Sequence, residues 1–161
     1  MLKEAQKKSL KRKRAKLVTQ CPYCGGKVTF RSADGIYTEN KFNTMLYVCS
    51  NYPRCDSYVR AIPGTDIPVG SMANPKLRRL RLDAHRALSD IVKTGIMTDK
   101  ESYEWLQRLL QLSKDDAHIG CLNEFTCKQV IAECEKIRAN NEWRLGANGR
   151  ISRKRKEEKK S

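Results

Sequence analysis

The sequence predicts an α+β chain: a small four-cysteine ribbon of β structure, a three-helix unit after it, and disordered basic termini. Three observations carry this. Two close cysteine pairs, in "CPYC" and "CSNYPRC", flank segments rich in β-branched and aromatic residues. From residue 75 onward the apolar residues switch to helical spacing. The cationic residues crowd at the two ends. The expected layout is a basic arm over 1–19, the ribbon over 20–62, a Pro/Gly-rich connector over 63–74, the helical unit over 75–145 and a basic tail over 146–161. A chain of 161 residues has room for such a metal-stapled module joined to a modest helical one.

The cysteines define the ribbon. The chain has seven, an odd number, and nothing resembling a secretory leader, so a disulfide framework explains the tight CxxC spacing poorly. Reduced thiols that hold a metal explain it better. Cys21, Cys24, Cys49 and Cys55 supply four soft donors, which suit one tetrahedral Zn2+ and leave no coordination position open for water. The predicted cofactor is one structural zinc. Gly25 and Gly26 directly follow the first pair, where the chain must turn so that backbone N–H groups face the thiolates. Between the pairs, 27–31 and 44–48 read as strands around a polar "SADG" turn, and 57–61 reads as a third. That is the pattern of a zinc ribbon. The bland alternative is four buried cysteines without metal.

The phrases "CPYCGG" and "VCSNYPRC" resemble the four-cysteine zinc ribbons at the C-terminal end of bacterial type IA DNA topoisomerases, including the Ser50, Asn51, Tyr52, Pro53 filling. The resemblance covers residues 21–60 and leaves no space for a cleavage domain. It implies single-stranded DNA held by base stacking on exposed aromatics beside basic side chains. Candidates are Tyr23, Tyr37 and Tyr52 with Lys27, Arg31, Arg54 and Arg60. Some of the ribbon's rings must form its small core instead, and Phe30 and Tyr47 are expected inside.

Net charge points to a polyanionic partner. Lys and Arg number 33 against 18 Asp and Glu, a formal charge of +15. Residues 3–16 and 150–160 hold 15 of those cations and 3 of the acids, so +12 lies in the ends and about +3 between them. Lys11, Arg12, Lys13 and Arg14 in the first arm, and Arg153, Lys154 and Arg155 in the tail, are candidate phosphate contacts. Specificity must come from the middle.

The connector is dense in Pro and Gly, yet Ile62, Ile67, Val69 and Met72 give it side chains to pack. A helix is predicted to start at Pro75 behind an Asn74 cap, with Leu77, Leu80, Ala84, Leu88 and Ile91 inward and Gly95 closing it. Its other face carries Arg78, Arg79 and Arg81, placed to follow a phosphate backbone or simply to face water. A second helix is predicted from a Thr98/Glu101 capping box, with Tyr103, Leu106, Leu109 and Leu110 inward. A third spans 124–140 with Cys127, Val130, Ile131, Cys134 and Ile137 as its stripe. His118, Cys121, Cys127 and Cys134 were weighed as a second metal site, but cysteines seven apart among aliphatics read as small core residues. His85 is expected to pack on the first helix, and His118 to anchor a loop.

Over residues 21–137 the order of phrases, among them "PVGSMANPKLRRLRLDAHRAL" and "HIGCLNEFTCKQVI", resembles a zinc-finger-containing family of unknown function common in bacteriophages and bacterial mobile elements. That implies an origin rather than a mechanism. No apolar run reaches the length of about eighteen residues that spans a membrane. The expected protein is therefore a non-enzymatic, cytoplasmic nucleic-acid binder of a bacterial cell. DNA is favoured over RNA, single strands are favoured by the ribbon resemblance, and no small-molecule substrate is expected. The alternative is a module that grips a host protein such as RNA polymerase or a defence component.

Overall fold

The computed structural model describes residues 19–151. The disordered arms and their candidate contacts, Lys11, Arg12, Lys13, Arg14, Arg153, Lys154 and Arg155, lie outside the described residues.

Three strands form one antiparallel sheet in the order β1 (Val28–Ser32), β2 (Met45–Cys49), β3 (Tyr58–Arg60). Each starts one residue later than the sequence predicts. The register pairs Phe30 with Tyr47, Arg31 with Leu46, and Leu46 in turn with Arg60. Strand side chains alternate between faces, so this register divides the apolar residues into two clusters. One face gathers Tyr47, Cys49 and Val59 with Cys21, Met72 and the half-buried Val28, Cys55 and Val69. The other gathers Leu46 and Val48 with Ala33, under Ile36, Tyr37, Tyr52 and Tyr58. The sheet is covered on both sides by very little chain.

The connector completes the first cluster. Ile67 and Met72 are buried, the Tyr47 hydroxyl donates to the Asp66 carbonyl, and isolated bridges tie Ala61 to Pro68 and Tyr58 to Ala73.

Helix α1 (Pro75–Lys93) begins as its sequence dictates. The Leu77 amide donates to Asn74 Oδ1 at 2.9 Å, a side-chain cap directly before an N1 proline. At its end the Gly95 amide donates to the Val92 carbonyl. Helix α2 (Asp99–Leu110) carries the expected box: Glu101 N–H donates to Thr98 Oγ1 at 3.2 Å and Thr98 N–H to Glu101 Oε2 at 2.7 Å. Helix α3 (Glu124–Asn141) has a box as well, in which Asn123 and Thr126 exchange bonds. Leu77, Ala84, Leu88 and Ile91 of α1, Leu106 of α2 and Cys127, Val130 and Cys134 of α3 are buried as predicted. Leu80, Leu109, Leu110, Ile131 and Ile137 are half-buried. Tyr103 departs from expectation. It stands exposed, its ring 6.3 Å from that of His118, while the small Ser102 takes the inward place. His85 is exposed too.

By internal contacts the chain forms two units. The first runs to Arg79 and takes in Gly120–Leu122, and the second holds Leu80–Ile119 and the residues from Asn123 on. Among the described residues no helix is long and apolar enough to cross a membrane.

Arg78 belongs to the first unit and is anchored there. Its guanidinium bonds Asp56 Oδ2 at 2.8 Å, the Asp56 carbonyl at 3.1 Å and the Ala73 carbonyl at 2.8 Å, and it lies 3.9 Å over the Tyr58 ring. These four contacts use the planar fork that distinguishes Arg from Lys. Arg78→Ala is expected to cost roughly 1–3 kcal/mol, as two carbonyls and a carboxylate lose a charged donor. Arg78→Lys should recover only part of it. Urea denaturation of the zinc-loaded protein measures both.

Candidate metal centre

Two knuckles bring the four thiols together. After Cys21 the chain reverses at once: Gly25 N–H bonds the Cys21 carbonyl at 2.9 Å, Cys21 N–H bonds the Gly26 carbonyl at 2.8 Å, and the bridge between Gln20 and Lys27 closes the turn. The second knuckle leaves the end of β2. There Tyr52 N–H bonds the Cys49 carbonyl, Cys55 N–H bonds the Asn51 carbonyl, and Cys49 N–H bonds the Ser57 carbonyl, each at 3.0 Å. The two glycines of the first knuckle serve different ends. Gly25 has φ +72°, the left-handed turn expected of both. Gly26 has no such angle. A Cβ there would lie 2.8 Å from Asn51 Nδ2 and 3.3 Å from Cys24 Sγ, so its missing side chain admits a neighbour.

The sulfur atoms of Cys21, Cys24, Cys49 and Cys55 all lie within 4.8 Å of one another. Two separations are 3.6 Å, Cys21 to Cys55, and 3.3 Å, Cys24 to Cys49. A zinc ion with four Zn–S bonds of about 2.3 Å requires sulfurs about 3.8 Å apart. The donor set, its count and its spacing fit one tetrahedral Zn2+. Among the described residues this is the one such cluster of His, Cys, Asp or Glu.

Hydrogen bonds surround the sulfurs. Tyr23 N–H and Asn51 N–H each donate at 3.4 Å, to Cys21 Sγ and Cys49 Sγ, from equivalent places in the two knuckles. Ser57 Oγ, fully buried, lies 3.0 Å from Cys21 Sγ, and Asn51 Nδ2 lies 3.3 Å from Cys24 Sγ. Sequence reading named neither Ser57 nor the Asn51 amide as support for a ligand. The signal available was a polar residue two places after each of Cys49 and Cys55.

The thiols divide in acidity for these reasons. The Asn51 amide, with the Gly26 amide and the Cys49 thiol, lowers Cys24 to about 6. Burial opposes ionisation of Cys21, but bonds from Ser57 and the Tyr23 and Cys24 amides outweigh it and lower that pKa as well. Burial raises Cys49. Burial and the crowding thiols of Cys24, Cys21 and Cys49 push Cys55 up to about 12. Four neighbouring sulfurs cannot all ionise without a cation among them, and a divalent ion removes that obstacle.

Residues 17–137 match the profile of a zinc-finger-containing domain, DUF3268. The chain belongs to that family. The match runs through both the ribbon and the helices, so the family's domain is the ribbon joined to a helical unit rather than the ribbon alone. No curated protein and no solved structure matches the chain.

The predicted nucleic-acid contacts fall into three sets. Tyr23, Lys27, Arg31, Arg54 and Arg60 are exposed on the ribbon. Tyr37 and Tyr52 are half-buried against Leu46 and Val48, and Tyr37 stands 6.2 Å from Tyr58. Their rings form part of the second cluster. Of the α1 cations, Arg79 is exposed and Arg81 half-buried, while Arg78 is occupied by Asp56 and Tyr58. Phe30 corrects an expectation. It pairs with the buried Tyr47, centroids 4.8 Å apart, but sits on the edge strand and is 42% exposed. His118 and Cys121 are exposed. Burial raises Cys127 and pushes Cys134 up to about 11, so both stay thiols among aliphatic neighbours.

Proposed function

We propose that this is a non-enzymatic nucleic-acid-binding protein of the bacterial cytoplasm, encoded by a phage or mobile element. It holds DNA, single strands in preference to duplex, on the ribbon, and its basic arms add affinity. One observation carries the reading: within nine residues, Tyr23 and Phe30 are exposed on the ribbon together with Lys27 and Arg31. Rings in water beside cations suit unpaired bases on a charged backbone. The zinc holds the knuckle that displays Tyr23 and takes no part in chemistry, because four thiolates close its coordination sphere. Neither a small-molecule substrate nor a membrane enters this reading.

A host-protein partner is the second reading. Phe42 is 90% exposed in the segment between β1 and β2, and the nearly neutral body suits a protein surface.

Fluorescence anisotropy of labelled single-stranded DNA, duplex DNA and RNA against the full chain, across a salt series, tests the proposal. Tyr23→Ala and Phe30→Ala are each expected to weaken single-strand binding by about 1–3 kcal/mol, with the salt dependence unchanged. Arg31→Ala should reduce the salt slope by about one. Equal binding to all three ligands, indifferent to these substitutions, would leave the arms as generic phosphate contacts and favour the protein partner.

A further inference from the structure

The second unit contains an open notch of about 260 Å³ between the end of α1 and the chain that follows α3, lined by Asp90, Lys93, Thr94, Arg138, Asn148 and Arg150. Its walls are fixed by backbone bonds. Ile151 N–H donates to the Thr94 carbonyl at 2.8 Å, Gly146 N–H to the Arg150 carbonyl at 3.0 Å, and Gly149 N–H to the Gly146 carbonyl at 2.8 Å. These bonds hold Arg150 beside the terminus of α1.

The polar side chains of the notch are unequally engaged. Thr94 donates to the Ile91 carbonyl, Asn148 Oδ1 accepts from the Arg150 amide, and Asp90 pairs with Lys93 at 3.6 Å. The guanidiniums of Arg138 and Arg150 have no carboxylate partner among the described residues. Three cations around one notch with a single acid repel one another unless an anion joins them. Paired guanidinium forks suit phosphate oxygens.

The nearest large ring in sequence is also outward. Trp143 follows α3 in a short 3-10 turn and is 83% exposed, and its indole N–H donates to the Asn140 carbonyl at 3.2 Å, which fixes its orientation. The fold-back at Gly146 returns Arg150 to within three residues of it in the chain.

We infer that the notch of Lys93, Arg138 and Arg150 is a second nucleic-acid contact, gripping a backbone phosphate while Trp143 stacks on an adjoining base. This rests on the reading that the chain holds nucleic acid. The occupant is a nucleic-acid backbone rather than a small phosphate compound, because the cationic run continues in the sequence through Arg153, Lys154 and Arg155 and a base platform stands nearby.

The full-length, zinc-loaded chain tests it. The chain has two tryptophans, so Trp105→Phe leaves Trp143 as the sole indole reporter. Titration with oligothymidylate is expected to quench it. Arg138→Ala with Arg150→Ala should weaken binding and lower the salt slope by about two, one for each phosphate contact. Arg138→Lys with Arg150→Lys should keep the slope, and Trp143→Ala should weaken binding without changing it. Circular dichroism and zinc content confirm that each variant is folded. An unquenched Trp143 and an unchanged slope, in a protein that Tyr23→Ala still weakens, overturn the inference and leave the ribbon reading intact. A full chain that binds no nucleic acid overturns both. Full displacement of the oligonucleotide by inorganic phosphate at matched ionic strength assigns the notch to a small phosphate compound and also overturns it.

Discussion

Chelation of the zinc is expected to unfold the ribbon over residues 20–62, with loss of strand signal in far-ultraviolet circular dichroism and rapid proteolysis between the knuckles. The ligands are also the core. Cys21 and Cys49 are buried members of the cluster built on Tyr47, Val59 and Met72, and the opposite cluster rests on only Ala33, Leu46 and Val48. So little apolar area cannot offset the conformational entropy of the segment. A structural zinc contributes about 10–16 kcal/mol of apparent binding free energy, which in such modules is folding free energy. The helical signal of the second unit should largely persist, since its buried side chains, among them Leu88, Leu106 and Val130, include no ligand. Acid should do what a chelator does. Zinc needs thiolates, so protons compete with it, and the metal-dependent stability present at neutral pH is lost as pH falls. Cys24, lowered from 9.0 to about 6 even without the ion, should be among the last ligands to yield. A colorimetric zinc indicator read against pH, beside the dichroism, checks the order of events. Strand signal and protease resistance that survive complete metal removal would refute the structural role.

Local chemistry made much of this legible beforehand. Cysteine spacing marked the four ligands. Asn74 before Pro75, and Thr98 before Glu101, marked helix starts, because a cap is a bond between residues three apart. What stayed hidden was set by residues distant in sequence. Arg78 reads as one cation in a basic run, and only the return of Asp56 and Tyr58 to its side makes it an anchor. Phe30 alternates correctly with Tyr47, but an edge strand leaves the outer flank of its ring uncovered. Tyr37 and Tyr52 look like stacking rings because no local pattern shows that a thin sheet needs covering on its second face. Gly26 was read as a turn residue, whereas the side-chain amide of Asn51 occupies the space beside it.

Gly70→Ala is expected to destabilise the first unit by roughly 3 kcal/mol or more, beyond the ordinary cost of overpacking. A Cβ at Gly70 would lie 1.9 Å from the Gly120 carbonyl oxygen and 2.4 Å from its carbon. Both are backbone atoms, so no rotamer change relieves the clash. The oxygen already accepts the Ser71 amide at 3.0 Å, which pins it in the path of the new methyl. Accommodation requires the backbone at Gly120 to move, and with it the buried Leu122. Gly120→Ala is a graded comparison, since its Cβ would meet the Val69 oxygen at 3.0 Å, a contact that a shift of a few tenths of an ångström relieves. Gly64→Ala is the control for backbone strain alone. Gly64 has φ +72° with open space around its Cβ position, so the cost there should be near 1 kcal/mol. Urea midpoints of the zinc-loaded variants should therefore fall in the order Gly64→Ala, Gly120→Ala, Gly70→Ala, the last lowest. If Gly70→Ala were no worse than Gly64→Ala, the close approach of the two backbones would not exist in solution, and the assignment of Gly120–Leu122 to the ribbon's unit would fall with it.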